Sequence, residues 1–107
     1  MNDFIVVFVT AGSAEEGERI AAALVEERLA ACVNRLSGVR SVYRWEGKVE
    51  RADEELLVIK SRRALFDRVK KRVAELHSYS VPEIIALPLV DGSDSYLRWL
   101  DEELAKE

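Results

Sequence analysis

An α+β fold, with one antiparallel sheet carrying its helices on a single face, is predicted by three observations in this chain of 107 residues. Strand-like alternation and helical spacing of apolar residues take turns along the sequence. The order read this way is strand, helix, strand, strand, helix, strand, then an extra helix. The two central strands are joined by a tight-turn signal, which makes them neighbours in an antiparallel pair. That is the split βαβ, ferredoxin-like arrangement, expected as a sandwich with a long β-hairpin and an added C-terminal helix.

Residues 3–10, "DFIVVFVT", form a β-branched and aromatic run suited to a strand buried on both faces. Ser13 then reads as an N-cap, with Glu16 three residues on completing a capping box. Ile20, Ala21, Leu24, Val25 and Leu29 recur at helical spacing and predict a helix to about Ala30. Cys32 to Trp45 reads as extended, with Val39, Ser41, Tyr43 and Trp45 on one face and Arg40, Val42 and Arg44 on the other. Glu46-Gly47 marks the turn because Gly47 takes positive φ without penalty. The return strand runs through "ELLVIK", residues 55–60. These arms are longer than a core of this size needs. An overhanging hairpin exposes edges and aromatics unless another chain covers them.

Ser61 is expected to cap a second helix carrying Leu65, Phe66, Val69, Val73 and Leu76 on one face. This helix must stop before Pro82, which biases Val81 away from helical geometry. "EIIALPLV", residues 83–90, reads as a fourth strand, and Pro88 argues for an edge position or a strand end. After Asp91-Gly92, Ser93 or Asp94 caps a last helix with Tyr96, Leu97, Leu100 and Leu104.

The length supports one domain, residues 1–107, and 49% apolar residues are enough for a proper core. Charged residues reach 34%, yet the formal net charge is only -4, so a nucleic-acid partner is not expected. Arg51, Arg62, Arg63, Arg68, Lys70, Lys71 and Arg72 form a locally basic stretch, read as solvated helix charges rather than a phosphate patch. Cys32 is the only cysteine, so no intrachain disulfide can form, and a buried structural thiol is expected there. "FIVVFV", residues 4–9, is too short to span a bilayer and no charged leader precedes it. No membrane partner is expected, and a soluble cytoplasmic protein is the default. The absence of glutamine, single Cys and Met residues, and abundant Glu and Arg suggest a thermostable chain.

Reactive groups in recognisable patterns are few. Gly12, Gly17, Gly38, Gly47 and Gly92 do not fall into a nucleotide-cradling spacing. A Cys–His dyad or a serine triad would have to use His77, the only histidine, and nothing near Ser78 or Ser80 resembles a nucleophile elbow. Acylphosphatases share this fold and use an arginine near the end of the first strand with an asparagine. Here Thr10, Ala11 and Gly12 stand there, and Asn2 and Asn34 are the only asparagines. An enzyme is therefore not expected. His77 itself admits a metal ligand, an acid–base group, or a helix C-terminal histidine favoured by the macrodipole. One imidazole alone makes a poor metal site, although Glu75 and Glu83 are near in sequence. Counted within one chain, the helix-end reading is preferred.

"RLAACVN" (28–34), "SVYRWEGKVE" (41–50), "ELLVIKS" (55–61), "HSYSVPEIIALPL" (77–89) and "YLRWL" (96–100) together resemble CutA, the divalent-cation-tolerance family, over essentially the whole chain. The resemblance implies a ferredoxin-like subunit assembled as a tight homotrimer, in which neighbouring chains cover the hairpin. It also implies a part in the response to metal ions, with copper binding and no defined reaction. Of the residues at family copper sites only His77 transfers, with Glu83 as a secondary candidate. Val9 and Leu76 stand where such members have a cysteine and a second histidine, and Ser78 replaces the family's proline. The resemblance further places Tyr43, Trp45, Lys60, His77, Tyr79 and Glu83 along a cleft between subunits. That cleft is read as interface packing or as a pocket for a small anionic ligand, as in trimeric nitrogen-regulatory signalling proteins. The expectation is a cytoplasmic, non-enzymatic homotrimer with weak copper(II) binding through His77 and Glu83. The alternative is a trimeric small-ligand sensor or protein-interaction scaffold.

Overall fold

The structure, a computed structural model, describes residues 3–106; Met1, Asn2 and Glu107 lie outside the described residues. The elements run β1 (Phe4–Ala11), α1 (Ala14–Glu26), β2 (Cys32–Trp45), β3 (Lys48–Arg62), a 3-10 turn (Arg63–Leu65), α2 (Phe66–Leu76), β4 (Ile84–Pro88) and α3 (Asp94–Glu103). The sheet order is β2-β3-β1-β4 and every neighbouring pair is antiparallel. The expected ferredoxin-like order is therefore the observed one, and Pro88 ends an edge strand where its missing N–H costs nothing.

Side chains alternate across each strand, so one face of β1 and β3 meets the helices. Ile5, Val7 and Val9 join Leu57 and Ile59 against Ile20 and Leu24 of α1 and Val69 and Val73 of α2. Each such side chain, fully buried, contributes about 1.5–3 kcal/mol. A second cluster of Phe4, Ala31, Leu65, Leu100 and Leu104 seats α3 at the end of the sheet. There Arg62 pairs with Asp101 at 2.8 Å and donates to the Ala105 carbonyl at 2.8 Å.

The opposite face differs from expectation. Val6, Phe8 and Thr10 of β1 are only half-buried, because no helix covers that side. Phe8 lies opposite Ile85 and Val6 opposite Leu87, and these two β4 residues are 50% and 44% exposed. That face of the sheet is thus open, its Val6, Phe8, Ile85 and Leu87 interrupted by Thr10, Asn34 and Lys60.

The hairpin also overhangs, as its length suggested. β1 pairs with β3 only over residues 55–62, so residues 39–45 and 48–54 form a two-stranded ribbon beyond the sheet. The loop has two residues, Glu46 at φ 49° and Gly47 at φ 82°, and Trp45 pairs with Lys48. Positive φ at both central positions matches the right-handed twist of the flanking strands.

Three local details correct the sequence reading. α1 ends at Glu26, four residues before Ala30, because Arg28 turns left-handed at φ 60° and Leu29 N–H bonds back to Leu24 O. Ser61 does not cap α2. Strand β3 runs on to Arg62, and the buried Ser61 hydroxyl donates to Leu29 O at 2.7 Å. Ser13 does cap α1, its oxygen accepting from Glu16 N–H at 3.2 Å. Glu16, however, sends its carboxylate away from Ser13 and towards the α2–β4 loop, where Ser78 N–H donates to it at 3.1 Å.

Candidate functional site

His77 follows α2 directly and its ring turns inward, so that the side chain is fully buried. Its Nδ1 accepts from the Tyr79 backbone N–H at 3.0 Å. With Nδ1 as acceptor, the neutral ring carries its proton on Nε2, which lies 2.7 Å from the Thr10 carbonyl and donates to it. Pairing of β1 with β4 stops at Val9 opposite Ile84, so the ring takes up the next carbonyl that the edge strand leaves. Glu16 is the carboxylate at this ring, with Oε2 3.4 Å from Nδ1, whereas Glu75 pairs with Arg72. The helix-end reading gains a specific meaning: His77 ties the end of β1 to the α2–β4 loop.

A copper ion does not fit this ring. Both nitrogens are committed to backbone groups, and a ligand needs a free lone pair. Among the described residues no group of three His, Cys, Asp or Glu side chains converges in a way that could hold a metal. Glu83, the expected second donor, lines a separate groove that His77 does not reach.

That groove has a volume of about 550 Å³ and lies where the sheet gives way to the ribbon. Tyr43, Trp45 and Tyr79 supply aromatic walls, Glu54 and Glu83 supply carboxylates, and Thr10 lies among its lining residues. Tyr43, Trp45, Tyr79 and Glu83 thus lie together along a groove of the single chain, whereas the expected cleft lay between subunits. Tyr79 is fixed from three sides. Its ring stands 4.6 Å from that of His77, and its hydroxyl donates to Glu54 Oε2 at 2.9 Å. A Cβ on Gly12 would come within 3.0 Å of the same hydroxyl, so glycine leaves room for the phenol. Burial, then the hydrogen bond from Tyr79 to Glu54 and the charge of Glu54, push the Tyr79 pKa up to about 12.

Lys60 does not join them. It sits opposite Val6, four residues along β1 from Thr10, or about 13 Å away, and contacts Asn34 and the Cys32 sulfur instead. The anion-binding lysine is thus missing from the groove, and the lining is acidic. Cys32 is half-buried rather than buried, because β2 presents it beside Lys60 instead of to the helices. Glu54 and Thr10 are groove residues that motif reading passed over. Glu54 was within reach: counted from the Glu46-Gly47 turn, it lies opposite Val39, on the face shared with Tyr43 and Trp45.

A family model described as CutA1 divalent ion tolerance protein matches residues 5–103. The chain is 52% identical over 96 residues to the chloroplastic protein CutA of Arabidopsis thaliana, a match covering 90% of this chain. It spans about half the length of that relative, 53%, and of the Oryza sativa one, 54%. It is also 52% identical over 97 residues to the divalent-cation tolerance protein CutA of Thermus thermophilus, covering 91% of this chain and 94% of that one. The crystal structure of CutA1 from Oryza sativa superposes with a TM-score of 0.96 at 46% identity, covering 99% of this chain and 97% of that one.

Proposed function

The chain belongs to the CutA1 divalent ion tolerance family, and we propose that it serves divalent-cation tolerance as a cytoplasmic homotrimer without catalysing a reaction. The observation that carries the trimer is uncovered apolar surface. A compact monomer of 12.1 kDa exposes about 6,000 Å². This chain exposes 6812 Å². Val42 and Val49 are 61% and 52% exposed on the ribbon, and Ile85 and Leu87 are 50% and 44% exposed on the open sheet face. A two-stranded ribbon is marginal on its own, and pairing with neighbouring copies supplies its missing contacts.

Sedimentation equilibrium tests the assembly. The expected mass is about 36 kDa, three times the 12.1 kDa chain, and a mass near 12 kDa overturns the reading. Weak copper(II) binding is the second part of the proposal. With the His77 ring committed, it falls to exposed carboxylates, Glu83 foremost, and carboxylates alone hold copper loosely. Glu83→Gln is expected to weaken the calorimetric copper isotherm, and an unchanged isotherm removes Glu83.

A small-ligand sensor is the second reading, favoured by the groove itself. None of the residues lining it is basic, so an anionic ligand is not the one it suits.

A further inference from the structure

We propose that the groove between the sheet and the ribbon is a receptor for a guanidinium cation. The inference rests on the ligand-binding reading of the groove and names its ligand class. Tyr43, Trp45 and Tyr79 line the groove with aromatic rings, and Glu54 and Glu83 add two carboxylates. Neither carboxylate has a cationic partner: among the described residues Glu54 accepts only from the Tyr79 hydroxyl, and Glu83 makes no hydrogen bond or ion pair. Elsewhere the carboxylates of Glu18, Glu27, Glu55 and Asp101 all meet arginines.

The groove therefore has negative charge, π faces and no cation of its own. Hard divalent ions such as Ca²⁺ and Mg²⁺ favour an all-oxygen shell and gain little from indole and phenol rings. A guanidinium is weakly hydrated, stacks on aromatic faces and presents a planar fork to carboxylates. It can arrive as a free small molecule or as an arginine side chain of a second copy. Arg40, Arg44 and Arg51 on the ribbon are exposed and make no ion pair among the described residues, so they are available to a neighbour's groove.

The test reads Trp45 fluorescence in Trp99→Phe protein, which leaves Trp45 as the only indole. Ethylguanidinium chloride is titrated against sodium chloride of equal ionic strength, with and without Glu54→Gln/Glu83→Gln, and again in an Arg40→Ala/Arg44→Ala/Arg51→Ala background. Saturation in the parent protein, weakened about tenfold or more by the double Gln variant, identifies a free cation as the ligand. Saturation only after the three arginines are removed, again weakened by the Gln variant, identifies a second copy's side chain. A response in both backgrounds indistinguishable from that of the Gln variant overturns the proposal. Sedimentation of the same proteins separates the two readings, because a trimer with a silent groove sinks the guanidinium site and leaves the assembly standing.

Discussion

Replacing His77 by alanine separates a structural tie from a metal ligand. The substitution strands the Thr10 carbonyl and the Tyr79 N–H, bonded to the ring at 2.7 and 3.0 Å, in a place where the side chain has no solvent exposure. Each buried group left without a partner costs about 1–3 kcal/mol. The ring's contact with Tyr79, 4.6 Å between centroids, is also lost, a further ~0.5–1.5 kcal/mol. The sum is a loss of about 2.5–7.5 kcal/mol per chain, which for a domain of this size lowers Tm by more than ~10 °C. Melting and urea unfolding are compared at one protein concentration, since assembly couples to stability. His77→Gln keeps an N–H for Thr10 and should fall between the two proteins. Copper titration of the folded variants should match the parent. A copper stoichiometry that drops while Tm holds would refute the tie and restore the ligand.

Gly17→Ala should destabilise by about 1–3 kcal/mol in urea, although alanine is the better helix former by about 1 kcal/mol. The new Cβ would run into the Glu55 carboxylate, whose Oε1 and Oε2 Arg35 holds at 2.7 and 3.2 Å; a gain in stability would show that this pair moves freely. Ser13→Ala removes the cap of α1 and should cost about 1 kcal/mol, read in the same assay, with no change counting against the cap. Tyr79 should be late to ionise in a 295 nm pH titration, near 12 against the ordinary 10, and Glu54→Gln should bring that step down. The folded state binds this proton more tightly than the unfolded chain does. Its contribution is therefore complete below about pH 10 and is lost as the pH rises towards 12. A Tyr79 step unmoved by Glu54→Gln would remove the hydrogen bond as a cause.

The amino-acid pattern by itself determined the elements and their order. The β-branched and aromatic run of β1, helical spacing in α1 and α2, the Ser13 cap, the Glu46-Gly47 turn and the placing of Pro88 are local facts, written within a few residues of one another. The overhang was legible too, because strand length can be compared with core size before any contact is known. The long-range site was not. His77 meets Thr10, 67 residues away, and Glu16, which the capping-box pattern had assigned to Ser13. Lys60 fell outside the groove and Glu54 inside it because the register of β3 against β1 and β2 decides which end of a strand a side chain occupies. Alternation fixes the face of a strand but not the position along its neighbour, so sequence named a cluster of plausible groups and only the packed sheet sorted them. The same packing gives the histidine its partners: the resemblance implied a metal ligand, while its neighbours in space use both of its nitrogens.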